Sequence, residues 1–361
     1  MTMHAVERIT RLRQSMEKEQ LEAVLIASAA NRRYISGFTG TSGYVLITMN
    51  RAILFTDFRY MTQAAAQCPD LEIIRHEAKV TDAVKAELKK DGIKRLAVEK
   101  NHLTYGDYET YARELAPLEL VPVENLVETL RMKKDADELA VIQEAAELAD
   151  KAFEHILTML KPGMAERDVA LELEWFMRKH GASGASFDTI VASGERSAMP
   201  HGVASERIIR PNEFVTMDFG AYYKGYCSDI TRTVFVGKPS AKHREIYDIV
   251  LEAQLECLER IRPGMTGKEA DALTRDIITR YGYSDYFGHG TGHGIGLEIH
   301  EAPRLAATGD VVLEPGMVVT VEPGIYLPDF GGVRIEDDIV ITENGMKRLT
   351  VSSKDFIAID G

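Results

Sequence analysis

The chain has 361 residues, 45% hydrophobic and 27% charged, the balance of a soluble globular protein with a sizeable core. That length suits two domains or one large one. A formal net charge of −13 argues against nucleic acid or an anionic membrane as the main partner.

The N-terminal stretch MTMHAVERITRLRQSMEKEQ is charged throughout, so no secretory signal is expected. No segment approaches the roughly 20 apolar residues of a membrane span, and the cytoplasm is the expected location. Val6, Ile9, Leu12 and Met16 recur at helical spacing and predict an opening amphipathic helix. LEAVLIAS (21–28) reads as a buried strand. YVLITMN and RAILFTD meet at Asn50-Arg51 as a hairpin. LEIIRHE and KRLAVEK are further strands, separated by a helix, VTDAVKAELKKDG, that ends near Gly92. Residues 1–125 therefore read as a mixed α/β domain, and 126–361 as a second domain. The second opens on a polar segment and a long helix over about 135–160. Cys68, Cys227 and Cys257 lie far apart without metal-type spacing and read as buried or half-buried thiols in a reducing compartment.

The second domain carries an internal repeat. LKPGMAERDVALELEWFMRKHGA starts at Leu160 and IRPGMTGKEADALTRDIITRYGY at Ile261. Both run helix, Pro-Gly-Met turn, helix, terminal glycine (Gly181, Gly282), and Thr266 with Glu269 forms a capping-box pattern. Each helix pair leads into an apolar strand hairpin with two acids. Duplication of one α+β unit, the acid pairs meeting between its halves, is the economical reading.

Those acids are Asp218 and Asp229 in the first hairpin and Glu322 and Glu336 in the second. With a turn at Lys224-Gly225, Asp218 faces Thr231, and Asp229 shares its face. One aspartate in a strand is usually a solvated edge residue. Two on one face, flanked by apolar residues, repel unless a cation lies between them. Glu322 interrupts MVVTVEPGIYL (317–327) before Pro323-Gly324, and Glu336 lies in GGVRIEDDIVIT (331–342), read together as one hairpin. Glu336 is expected to point inward, with Asp337 and Asp338 in a solvated loop. YFGHGTGHGIGLEIHE (286–301) adds His289, His293 and His300, and MPHG adds His201. A nucleotide-binding loop is the rival reading, but the glycines alternate and no helix start follows. Asp218, Asp229, His293, Glu322 and Glu336 offer too many hard ligands for one ordinary divalent ion. They suit a pair of Mn²⁺, Co²⁺ or Zn²⁺ ions about 3.5–4 Å apart sharing a water.

DFGAYYKGYCSDITRT, GHGTGHGIGLEIHE, TVEPGIY and VRIEDD resemble the motifs of the pita-bread metallopeptidases, closest to the Xaa-Pro peptidases aminopeptidase P and prolidase. NRRYISGFTGTSG and TDFRY resemble that family's creatinase-like N-terminal domain, so the resemblance spans nearly the whole chain. It implies an α+β protein, a creatinase-like domain followed by a pseudo-two-fold pita-bread catalytic domain. Asp218 and Asp229 would hold one metal and His293 the other, with Asp229 and Glu336 shared and Glu322 completing the set. Manganese is the expected metal, cobalt and zinc the alternatives. His201, His289, His300 and Arg334 match positions that bind substrate or stabilise the intermediate. Glu322, His289 and His300 would be catalytic, Glu322 carrying a proton to the proline nitrogen; His201 and Arg334 would grip substrate. Substrates would be small peptides with proline second. A homodimer is expected.

The reading leans to an Xaa-Pro dipeptidase, with the Xaa-Pro aminopeptidase as alternative. A methionine aminopeptidase usually lacks such an N-terminal domain. A metal-free creatinase type or a non-catalytic binding module would be expected to have lost ligands, and all five are here.

Overall fold

The computed structural model describes residues 5–360. The chain divides into two compact units between Arg131 and Met132, so residues 126–131 lie with the first.

The first unit opens with helix α1 (Ala5–Lys18), whose buried stripe is Ile9, Leu12 and Met16. Val6, read as part of that stripe, is 63% exposed in the first turn. Strands β1 (Ala23–Ile26), β2 (Tyr44–Thr48), β3 (Ala52–Thr56), β4 (Glu72–Arg75), β5 (Arg95–Glu99) and β6 (Glu119–Val123) form one sheet in the order β4-β3-β2-β1-β5-β6. The hairpin at Asn50-Arg51 is present as β2–β3. The outer pairs β3–β4 and β5–β6 are parallel, as is β1–β5. Helices α2 (Ala29–Ser36), α3 (Met61–Gln67), α4 (Val80–Lys90), α5 (Tyr105–Leu115) and α6 (Glu128–Arg131) complete the unit. Its core packs Leu25, Leu46, Ile53 and Phe55 against Val84, Leu88 and Leu115.

The second unit carries the repeat. Helix α7 (Ala136–Leu157) starts at a capping box of Asp135 and Glu138 and is followed by α8 (Glu166–Lys179). Helix α9 (Ala241–Arg260) is followed by α10 (Gly267–Arg280), with the predicted capping box of Thr266 and Glu269. The two Pro-Gly-Met turns match closely. Gly163 and Gly264 have φ of 92° and 89°, and their amides donate to Ile209 O and Leu313 O, both at 2.9 Å. The two turns thus repeat the same backbone bond at equivalent places in the two halves.

Strands β7 (Gly184–Ala185), β8 (Ile190–Ser193), β9 (Glu213–Phe219), β10 (Ala221–Tyr223), β11 (Tyr226–Cys227) and β12 (Ile230–Val236) belong to the first half. Strands β13 (Gly292–Gly294), β14 (Glu301–Leu305), β15 (Val318–Val321), β16 (Gly324–Leu327), β17 (Gly331–Arg334), β18 (Asp337–Thr342) and β19 (Gly345–Arg348) belong to the second. The main sheets are β20-β12-β9-β8, where β20 is Ala358–Ile359, and β14-β13-β15-β18-β19. Every residue of β9 and β12 is buried. One face packs Val215, Met217 and Val234 on Phe153, Val169 and Leu173; the other packs Phe214 and Phe235 on Tyr247 and Val250. Among the described residues no helix is long and apolar enough to cross a membrane.

The second acidic hairpin differs from its prediction in a way that matters for the site. It is two ladders, β15 with β18 and β16 with β17. The break falls at Glu322-Pro323 on one side and Ile335-Glu336 on the other. Proline has no N–H to continue a ladder. The freed amides turn elsewhere: Glu322 N donates to Thr291 O (2.7 Å) and Glu336 N to Thr231 O (3.1 Å). Both glutamates thus leave their strands where pairing stops.

Candidate metal centre

Asp218 lies directly opposite Thr231 in the β9–β12 ladder, the register expected from the sequence. Asp229 sits just before β12, its amide donating to Asp338 Oδ2 at 2.8 Å. Glu336 crosses from the other half, its Oε2 accepting from the Thr231 hydroxyl at 2.6 Å. Glu322 Oε1 accepts from the Thr320 hydroxyl at 3.2 Å. His293 comes from β13, threaded between β14 and β15. That passage is tight. A Cβ on Gly292 would lie 2.0 Å from Thr320 O, and one on Gly294 2.3 Å from Ala302 O. At these two positions glycine lets neighbouring backbones approach.

The donor atoms of Asp229, His293 and Glu336 lie within 4.8 Å of one another. His293 Nε2 is 3.4 Å from Glu322 Oε1 and 3.8 Å from Asp229 Oδ2. His293 Nδ1 faces Gly294 O at 3.1 Å, and a carbonyl can only accept, so Nδ1 carries the hydrogen. Burial pushes this imidazole down to about 4. It is neutral near pH 7 and presents the Nε2 lone pair to the carboxylates, the form a metal needs.

The acids are crowded. Burial, then the charges of Glu336 and Asp218, raises Asp229 well above the usual carboxylate range. Burial, then Glu322 and Asp218, does the same to Glu336. Burial lifts Glu322 to about 8, with Arg334 opposing and Asp218 reinforcing. Asp218 Oδ1 and Asp229 Oδ1 are buried without a hydrogen-bond partner among the described residues. Buried, unpartnered carboxylate oxygens converging with a neutral imidazole fit divalent cations, which would satisfy the oxygens and cancel the repulsion.

Asp218, Asp229, His293, Glu322 and Glu336 all line one cavity of about 480 Å³. His201, His289, His300 and Arg334 also line it. The structure therefore brings every sequence-predicted site residue to one cavity, but changes what two of them can do. His289 Nδ1 donates to Gly290 O (2.8 Å), so its Nε2 accepts from the Tyr326 hydroxyl (2.7 Å). It has no free N–H for an oxyanion. Arg334 is 3% exposed, and its guanidinium donates to Asp218 Oδ2 (2.6 Å), Tyr326 Oη (3.0 Å) and Thr231 Oγ1 (3.1 Å). It braces a ligand and is not a free grip for substrate. His300 is exposed to the cavity, its ring centroid 4.4 Å from that of His293.

The sequence reading missed Arg304 and Tyr326. Arg304 lines the same cavity and is exposed, and its guanidinium has no hydrogen bond or ion pair among the described residues. A basic residue four positions past His300 was the available signal. Asp337 and Asp338, read as a solvated loop, are both fully buried. Asp337 accepts from Arg232 Nη2 (2.7 Å) and Lys354 Nζ (2.6 Å). Burial alone would raise its carboxyl, but these two cations hold it down to about 2.

Residues 140–343 match metallopeptidase family M24, and residues 8–133 match the creatinase/prolidase N-terminal domain. The chain is 43% identical to the Xaa-Pro dipeptidase of Pyrococcus horikoshii, over 97% of this chain and 99% of that protein. It superposes on the structure of an Xaa-Pro dipeptidase from Bacillus anthracis with a TM-score of 0.97 and 55% identity, covering 98% of this chain and 100% of that one. It is also similar to the X-Pro aminopeptidase from Thermotoga maritima, with a TM-score of 0.90 and 38% identity over 96% and 100% of the two chains.

Proposed function

The chain belongs to metallopeptidase family M24, with a creatinase-type N-terminal domain, and on that footing we propose that it is an Xaa-Pro dipeptidase. The observation that carries the dipeptide is Arg304, a cation lining the metal-ligand cavity with no hydrogen bond or ion pair among the described residues. A dipeptide ends in a carboxylate immediately after the scissile bond, and an arginine is suited to bind it. The likeness to proteins named Xaa-Pro dipeptidase supports the same choice. The X-Pro aminopeptidase relative favours a second reading, in which the cavity stays open beyond proline and a longer peptide is cut.

Asp218, Asp229, His293, Glu322 and Glu336 would hold two divalent ions, manganese first, with cobalt and zinc as alternatives. When bound, such ions make hydroxide available near neutral pH and polarise a carbonyl. The protein's own groups do the rest. Glu322 takes a proton in the cavity and delivers it to the proline nitrogen. His300 donates to the oxyanion that develops on the carbonyl before proline. Arg304 and His201, which line the same cavity, grip the terminal carboxylate. An Xaa-Pro amide has no N–H, so a site that holds the carboxylate loses nothing by its absence. Assembly as a homodimer and a cytoplasmic location complete the proposal; the latter is supported by three buried free thiols.

The test is Arg304→Gln assayed on Ala-Pro and on Ala-Pro amide. Loss of a charge-assisted bond of about 1.5–3 kcal/mol lowers kcat/KM on Ala-Pro roughly 10- to 150-fold and leaves the amide nearly unchanged. Equal effects on both substrates would remove the carboxylate grip, and with it the preference for dipeptides.

A further inference from the structure

Glu336, Asp337 and Asp338 are consecutive, acidic and buried, though a buried carboxylate costs several kcal/mol unless it is well paired. Glu336 alone faces the cavity. The other two turn to the protein.

Asp337 accepts from Arg232, Lys354, Gln254 Nε2 (3.0 Å) and the Thr350 hydroxyl (3.0 Å). Arg232, 1% exposed, is fixed by that carboxylate and by Ser352 O (2.9 Å) and Ser353 O (3.1 Å). Its Nη1 donates to Thr231 O (3.0 Å) and to Glu336 O. Thr231 in turn accepts the Glu336 amide and donates to the Glu336 carboxylate. The backbone on both sides of the Glu336 side chain is therefore anchored through Asp337 and Arg232.

Asp338 does the corresponding work on the opposite ligand. Its own amide is tied to the Thr350 hydroxyl (3.1 Å) and its carbonyl to Leu349 N (2.8 Å). Its Oδ2 accepts the Asp229 amide. That bond links β18 to the short segment between β11 and β12, where no ladder bond would otherwise hold Asp229.

We infer that Asp337 and Asp338 are positioning residues: Asp337, through Arg232, sets Glu336, and Asp338 sets Asp229, so that two ligands from different halves of the duplicated domain meet around the ions. The inference rests on the ligand assignment above and not on the choice of substrate.

The experiment is a calorimetric Mn²⁺ titration of chelator-treated protein, with circular dichroism of each metal-free variant to register folding. Asp338→Ala lowers Mn²⁺ affinity about 10- to 100-fold, the usual cost of losing a support behind a ligand, while its metal-free form keeps the wild-type spectrum. Asp338→Asn keeps an oxygen to accept the Asp229 amide and stays within a few-fold of wild type. Arg232→Lys keeps a charge beside Asp337, cannot reach both carbonyls, and loses about tenfold. A folded Asp338→Ala with wild-type affinity overturns the inference. So does an Asn variant that binds Mn²⁺ about tenfold or more weaker than wild type, a measurement that still decides if Asp338→Ala fails to fold. Asp229→Ala is the control for the ligand assignment itself: wild-type binding there refutes the assignment, whereas lost binding there with normal Asp338→Ala refutes only the positioning role.

Discussion

Thr231 and Glu336 are bonded twice: the Thr231 hydroxyl donates to the Glu336 carboxylate at 2.6 Å, and the Glu336 amide donates to the Thr231 carbonyl at 3.1 Å. Thr231 belongs to the first repeat and Glu336 to the second, so this pair joins the two halves at the metal ligands. Thr231→Val preserves shape but leaves a carboxylate oxygen and the Arg334 Nε short of a partner. It should cost about 1–3 kcal/mol of stability, read from denaturant unfolding. It should also weaken Mn²⁺ binding.

Asp229→Ala and Glu336→Ala should abolish metal binding and activity and leave the fold intact. Removing one of several crowded charges should even raise the thermal midpoint of the metal-free protein. Unchanged turnover of either variant under limiting metal would contradict the ligand assignment.

The pH dependence of the metal-free protein has a definite sign. Asp229 and Glu336 are raised well above the ordinary carboxylate range and Glu322 to about 8, whereas unfolded carboxyls titrate near 4. Below about pH 6.5 the buried histidines, His289 and His293 held down to about 4, oppose this effect; between about pH 6.5 and 8 they are neutral in both states while the folded carboxyls still hold extra protons, so stability falls as pH rises through that window. Chelated protein should melt at progressively lower temperature from about pH 6.5 to pH 8, and the stabilisation given by Mn²⁺ should grow over the same range. A flat or rising profile for the chelated protein would show that the crowding is not felt.

His300→Ala should lower turnover by two to three orders of magnitude, since one lost oxyanion donor costs about 2.7–4 kcal/mol. His289 acts only through Tyr326, so His289→Ala and Tyr326→Phe should each have an effect and the double variant little more than either alone. Additive losses would mean that His289 reaches substrate independently.

Much of this site was legible in the sequence because its parts are local. The Lys224-Gly225 turn fixes Asp218 opposite Thr231, and the repeated Pro-Gly-Met turns announce the duplication. What was not legible is pairing over distance. Asp337 looks like a loop acid because its partner Arg232 is 105 positions away. Arg334 looks like a free cation because nothing local shows that Asp218, 116 positions earlier, takes up its guanidinium. Arg304 was passed over for the converse reason, since being unpaired leaves no trace in a sequence. In the first unit, α5 was missed although Thr104 and Asp107 form its cap, a signal hidden by the low apolar periodicity of YGDYETYAREL.

The most direct measurement is hydrolysis of Ala-Pro and Ala-Pro-Ala by chelator-treated protein, with and without added Mn²⁺. The account predicts Mn²⁺-dependent cleavage of the dipeptide and little of the tripeptide. Efficient cleavage of the tripeptide would make the protein an Xaa-Pro aminopeptidase, and cleavage of neither by folded, metal-loaded protein would contradict the proline specificity altogether.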